Sequence, residues 1–291
     1  MFYHDGKLQY DVKVDKPNPQ FAKMLQQAIG GIEGEMKVCL QYLFQAFGAR
    51  GPEKYRDMLL ETGTEEMAHI ELLATAVALN LEGATNDLKD EVAKDPFMEQ
   101  IMGGANPRHI LSSGMCAMAV DSSGVPFNGS WVIGTGNLAA DMYANVTAES
   151  AGRTLATRLW QSTDDKGMKD MLAFLIARDT MHQNQWLAVL EEIGGLEGNH
   201  PIPNSFPREK ENQYNNYNFL STHINGESKA KGRWSDGKSI DGKGEFTFEK
   251  AKPLGRKPNL GRPHPNAYAQ KEQMKANPSM AESAINKMRN D

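Results

Sequence analysis

The chain has 291 residues, and its 32 basic side chains are interspersed with 37 acidic ones to give a formal net charge of −5, which excludes an electrostatic case for nucleic acid or a membrane surface as partner. No apolar run approaches the roughly 18 residues of a membrane span, and the opening MFYHDGKLQY lacks the basic-then-apolar order of a signal peptide, so a soluble, cytoplasmic protein is expected. Cys39 and Cys116 are too few for a disulfide framework and suit a reducing compartment, while the length allows one sizeable core with an appendage.

In chain order, Leu8, Tyr10, Val12 and Val14 alternate with polar residues and predict a short strand or extended arm that ends at Pro17 and Pro19. From about Asn18 to Phe47 the apolar positions 21, 25, 28, 32, 36, 39, 43 and 46 follow helical spacing, with Glu35 beside the stripe and Tyr42 two turns further on. Gly48, Gly51 and Pro52 make a turn. A second helix is predicted over about Glu53–Leu79, with Glu66 and His69 at the centre of its apolar stripe. An unpaired buried carboxylate is costly, so an ordinary core helix avoids such a residue there.

Residues 81–136 are rich in Gly, Asn, Ser and Pro, with short helices expected near Pro96–Met102 and Pro107–Val120. A connection of this length reads as a crossover from one end of a bundle to the other. The third helix, about Gly136–Gln161, carries Glu149 on its stripe, and Asp164, Asp165 and Gly167 mark the start of a fourth over about Lys166–Ile193. On that last helix Asp179 and His182 interrupt a face otherwise made of Met168, Met171, Leu172, Leu175, Trp186, Val189 and Leu190. After Gly195 the composition shifts to Asn, Pro, Gly, Lys and Tyr, with small strands expected near Gly232–Trp234 and Gly244–Phe248 and an extended tail. The division expected is a four-helix bundle over 1–195 and, over 196–291, an extended segment with minor β wrapping the bundle or a neighbouring subunit.

The four helices carry one half-pattern written twice. Glu35 precedes Glu66 by almost the interval at which Glu149 precedes Asp179, and each second carboxylate has a histidine three residues on, His69 and His182. Residues three apart share a helix face, so each pair can reach one ion. A Glu from each of two helices, with a carboxylate-x-x-His from each of the other two, is the ligand grammar of a bundle holding two metals. A single Glu-x-x-His is common by chance; two in register within predicted bundle helices are not. The groups divide into Glu35 with His69 and Glu149 with His182, leaving Glu66 and Asp179 to lie between the metals. Mixed oxygen and nitrogen donors suit Mn or Fe better than structural Zn. Glu65, turned about 100° from Glu66, reads as solvated or as a residue that supports a ligand from behind. Tyr42 is a candidate to touch a ligand, and the other histidines (His4, His109, His200, His223, His264) read as surface or structural.

The sequence resembles the manganese catalases. The stretches that carry the likeness are KLQY, GGIEGE at 30–35, KYRDMLLETGTEEMAHIE at 54–71, GNLAADM at 136–142, ES at 149–150 and DMLAFLIARDTMHQ at 170–183. The resemblance implies an all-α, ferritin-like bundle with two Mn ions per subunit, held by Glu35, Glu66, His69, Glu149 and His182 with Glu66 as the bridge. It also implies that the second half-pattern's carboxylate stands back to handle protons; that position is Asp179, where Glu is expected. Some members carry an Arg before the third-helix ligand, whereas this chain has Ala148, and Arg178 is a candidate source of the missing charge. Also implied are a homohexamer, a candidate Ca2+ site at Asp57 and Glu61, and no organic cofactor. The reaction implied is the disproportionation of hydrogen peroxide as the pair alternates between Mn(II)2 and Mn(III)2; Glu66 and Asp179, with Tyr42 from its place two turns beyond Glu35, are the candidate catalytic residues. The alternatives are a di-iron ferritin-like oxidase or ferroxidase, and a structural assembly protein such as a spore-coat component.

Overall fold

The computed structural model describes residues 6–82, 106–223 and 227–259. Its long helices are α1 (Pro19–Gly30), α2 (Glu35–Gly48), α3 (Glu53–Leu81), α5 (Leu138–Gln161) and α6 (Lys166–Glu192), with single turns α4 (Pro107–Leu111) and α7 (Gly195–Asn199). The helix starts follow side-chain chemistry. Asn18, Asn137 and Asp165 accept from the backbone N–H of Phe21, Ala140 and Met168, satisfying donors that the first helical turn leaves free. The second Asp165 oxygen takes the N–H of Asp15 at 2.7 Å, tying down the chain before α1.

The single first helix expected over Asn18–Phe47 is two helices. Gly31 and Gly34 are extended, and the N–H of Gly31 closes α1 on Gln27 O at 3.0 Å. The apolar spacing carries straight across this break, which is why periodicity misses it. Gly30, the last residue of α1, is tightly packed: a Cβ there would collide with the backbone of Val120, which lies against the end of the helix. Gly30→Ala is therefore expected to lower stability by about 1–3 kcal/mol through overpacking, read as a drop in thermal midpoint; an unchanged midpoint would contradict this contact. The break also places Glu35 in the first turn of α2, where exposed N–H groups favour a carboxylate.

α2 and α3 form one antiparallel hairpin, α5 and α6 another, and α1 packs on the C-terminal half of α3. Apolar side chains fill the bundle on both sides of a polar layer. Phe21, Leu25, Leu72, Leu73, Met171 and Leu172 lie to one side, and Tyr42, Leu59, Met142, Trp186 and Leu190 to the other. Among the described residues no helix is long and apolar enough to cross a membrane.

The described part of the crossover, residues 106–137, runs along α1 and α2, fastened by a row of glutamines. Gln26 donates to Met118 O (2.7 Å) and Val120 O (3.0 Å) and accepts from Met118 N (2.8 Å). Gln27 accepts from Ser122 Oγ at 2.9 Å, Gln41 from Ile133 N at 3.2 Å, and Gln45 donates to Ile133 O at 2.9 Å. Gln41 and Gln45 also bond Asn145 of α5, one turn before Glu149. The helix expected over Pro107–Val120 is only Pro107–Leu111, because Gly114 and Met115 both take positive φ and turn the chain. The helix expected near Pro96–Met102 lies outside the described residues.

The N-terminal stretch is an extended arm and not a strand. Leu8, Val12 and Val14 pack on the bundle, and Tyr10 stacks on Phe174 at 4.6 Å. After α7, β1 (Asn218–Ser221) pairs in parallel with β3 (Glu245–Lys250), which pairs antiparallel with β2 (Gly237–Lys238). The strand expected near Gly244 is β3; the one expected at Gly232–Trp234 lies instead at β2, and β1 carried no alternation strong enough to announce it.

Candidate metal centre

The polar layer is where the repeated half-pattern meets itself. Glu35 comes from α2, Glu66 and His69 from α3, Glu149 from α5, and Asp179 and His182 from α6. Ligating atoms of Glu35, Glu66 and His69 converge within 4.8 Å of one another, and so do those of Glu66, Glu149 and His182. Glu66 belongs to both groups. Its Oε2 lies 2.6 Å from His69 Nδ1 and its Oε1 2.8 Å from His182 Nδ1, while His69 Nδ1 is 3.8 Å from Glu35 and His182 Nδ1 3.4 Å from Glu149. The imidazole rings lie nearly parallel, 5.9 Å apart.

These residues fit a pair of cations. Glu66, His69 and His182 are almost wholly buried, yet both Glu66 oxygens, both His69 nitrogens and His182 Nδ1 lack a hydrogen-bond partner: the short Nδ1 approaches to Glu66 do not have hydrogen-bond direction, and His69 Nε2 is 3.7 Å from Glu65. Buried polar atoms are seldom left so, and a cluster of them on converging carboxylates and imidazoles is the donor set of a metal site. The ionisation behaviour agrees. Burial, reinforced by the charge of Glu66, pushes Glu35 up to about 8. Burial and the charges of Glu35, Glu149 and Glu66 push Asp179 up to about 9. Burial would raise Glu66 as well, but the neighbouring imidazoles pull it down to about 2. His182 is carried up to about 12, its burial outweighed by Glu149, Glu65 and Glu66. Four carboxylates are crowded where water cannot screen them, and positive charge between them relieves the crowding.

Asp179 is buried but belongs to neither convergent group. Tyr42 donates its hydroxyl to Glu149 Oε1 in a short contact and packs its ring 4.8 Å from that of Trp186. Burial, followed by the charge of Glu149, raises the phenol well above its ordinary value and keeps it a donor. Asp57 and Glu61 stand exposed on α3 and join no convergent acid group among the described residues. Ala148 is packed among apolar neighbours. Cys39 is buried and bonds Gly63 O at 3.3 Å, with burial pushing its thiol up to about 12.

Of the two alternatives for Glu65, the structure takes the one against the ligands and not the solvated one: it sits 3.1 Å from His182 Nε2 and 3.7 Å from His69 Nε2, and accepts from Arg178 Nε at 2.6 Å and Gln9 at 2.8 Å. Burial would raise it, but these partners hold it far below the ordinary carboxylate value. Arg178, the candidate source of positive charge, spends it on Glu65.

A family model described as manganese containing catalase matches residues 1–286. A manganese catalase of Bacillus subtilis is 46% identical over 260 residues, covering 89% of this chain and 94% of the relative. One from Lactiplantibacillus plantarum is 42% identical over 193 residues, covering 66% of this chain and 72% of the relative. Among solved structures, KatB, a manganese catalase from Anabaena, superposes with a TM-score of 0.67 at 22% identity, covering 86% of this chain and 99% of that one, and so supports the ferritin-like bundle. These matches do not favour the di-iron oxidase or the structural assembly protein. A family match over nearly the whole length, with close relatives of that name, agrees with what the paired carboxylate and histidine motifs require of the bundle interior: the chain belongs to the manganese-containing catalases.

Proposed function

We infer that this protein disproportionates hydrogen peroxide to water and dioxygen at two manganese ions per subunit, one held by Glu35 and His69, the other by Glu149 and His182, with Glu66 shared between them. The observation that carries the assignment is the buried Glu66 carboxylate, common to both convergent groups and without a hydrogen-bond partner. When bound, the manganese pair supplies two-electron exchange with peroxide. The chain supplies the rest. Tyr42 holds Glu149 in place through its hydroxyl, and the apolar residues on either side of the polar layer keep bulk water out. Reduction of one peroxide to two waters consumes two protons, and oxidation of the next to dioxygen releases two. Asp179, buried beside the ligands and with a carboxyl raised toward neutrality, is the group suited to give and take a proton across that cycle.

Protein purified without added metal is expected to contain manganese and to release dioxygen from peroxide. Iron in the site, or a manganese form that evolves no oxygen, would overturn the reading. Asp179→Asn is expected to keep manganese and lose about 10²–10⁴-fold in turnover, the usual contribution of a positioned acid–base group; unchanged turnover would remove Asp179 from the mechanism. The homo-oligomer implied by resemblance is supported by Phe44 and Phe47, exposed on α2 with their rings edge to face at 5.8 Å.

A further inference from the structure

Both histidines turn Nδ1 toward Glu66, and a neutral imidazole offers a lone pair on only one nitrogen. For Nδ1 to serve, the proton must be on Nε2, and what Nε2 meets decides whether it stays there. Both Nε2 atoms face the same carboxylate. Glu65 Oε2 lies 3.1 Å from that of His182, within hydrogen-bond range, and Oε1 lies 3.7 Å from that of His69, beyond it. Glu65 is itself fixed from outside. Arg178 holds both its oxygens, Nε to Oε1 at 2.6 Å and Nη2 to Oε2 at 3.2 Å, and Gln9 of the N-terminal arm donates to Oε1 at 2.8 Å.

We propose that Glu65 is a positioning residue serving both halves of the centre: one carboxylate orients the two imidazoles with Nδ1 toward the metals, gripping His182 more firmly than His69, while Arg178 and Gln9 hold it in place. This rests on the ligand assignment proposed above. It makes the two histidines unequal in a centre whose sequence repeat is nearly symmetric, and it connects the N-terminal arm to the metal ligands through a single amide.

The test uses the full chain, as isolated and after metal removal, with Glu65→Ala, Glu65→Gln and Arg178→Met. Helical circular dichroism establishes folding, manganese titration gives affinity, and the EPR spectrum of the Mn(II) pair reports the ligand arrangement. Glu65→Ala is expected to weaken manganese binding about 10–100-fold, the usual cost of removing a partner behind a metal ligand, and to alter the EPR spectrum. Glu65→Gln, whose one carbonyl oxygen can still accept from His182, is expected to lose less and carries the comparison should the alanine variant not fold. Arg178→Met leaves the carboxylate present and is expected to lose less than Glu65→Ala. Wild-type affinity and spectrum in Glu65→Ala would overturn the proposal, and so would equal losses in Glu65→Ala and Arg178→Met with the spectrum unchanged, since Glu65 would then be only an ion-pair partner. Wild-type protein that takes up no manganese would instead sink the ligand assignment itself.

Discussion

Glu66→Gln is expected to abolish manganese retention and dioxygen release together, each by at least about a hundredfold, with the helical circular dichroism of the wild type preserved. The amide matches the carboxylate in shape, so the packing around a residue 1% exposed is kept. Its chemistry is not kept. Glu66 is the one residue common to the two convergent groups, and replacing it takes a negative oxygen from both at once. Changing Glu35 or Glu149 removes a donor from one group only and is expected to leave partial metal content. Elemental analysis with an oxygen electrode reads both quantities, and a Glu66→Gln protein that keeps two manganese ions would remove the shared carboxylate from the centre.

Stripping the metal is expected to make stability fall steeply with rising pH. Glu35 and Asp179 lie near 8 and 9 in the folded chain, against ordinary values of 4.5 and 3.8, and His182 near 12 against 6.5. All three are raised by folding, so the stability linked to each is fully present below its unfolded value and is lost as pH climbs through its folded value. Between pH 7 and pH 9.5 the three act in one direction, for a combined loss on the order of a few kcal/mol. Glu66, lowered to about 2, contributes oppositely, but its window lies between about 2 and 4.5 and is closed well below neutrality. Thermal midpoints of metal-free protein should therefore drop across pH 7–9.5, and manganese should flatten the profile by taking the place of the protons. A metal-free midpoint that stays level, or rises, would show that the acids are not crowded as described.

The bundle helices were legible because each long apolar stripe is interrupted by charged residues at one level, and a stripe with charge at its centre states both the fold and the site. The break before Glu35 was not legible: positions 28, 32 and 36 keep helical spacing through residues that are not helical, and the extended Gly31 and Gly34 fold back so closely on the end of α1 that a Cβ at either would meet its backbone. For Glu65 the sequence left two alternatives, solvated or set against a ligand, for a related reason. Helical geometry turns it about 100° away from Glu66, but an imidazole has a second nitrogen on its far side, and that side faces Glu65. The signal was in the repeat all the same. Glu65 stands immediately before Glu66, and Arg178 immediately before Asp179, so the half-pattern already paired an anion with a cation at matching places. The small β-sheet was only partly readable, since β1 and β2 are too short for alternation to show.

The glutamine row along α1 and α2 amounts to a two-way code. A primary amide is donor at one end and acceptor at the other, and Gln26 uses both ends on the backbone around Met118. Sliding the crossover by one residue would carry the N–H and C=O of Met118 away from the buried Gln26 amide and leave both its ends without those partners. The loop is therefore indexed to the helices the way a rack is indexed to a pinion. Because the same amides of Gln41 and Gln45 continue onto Asn145, the axial setting of α5, and with it the depth at which Glu149 enters the bundle, is inherited from a segment whose described residues, 106–137, supply none of the converging groups.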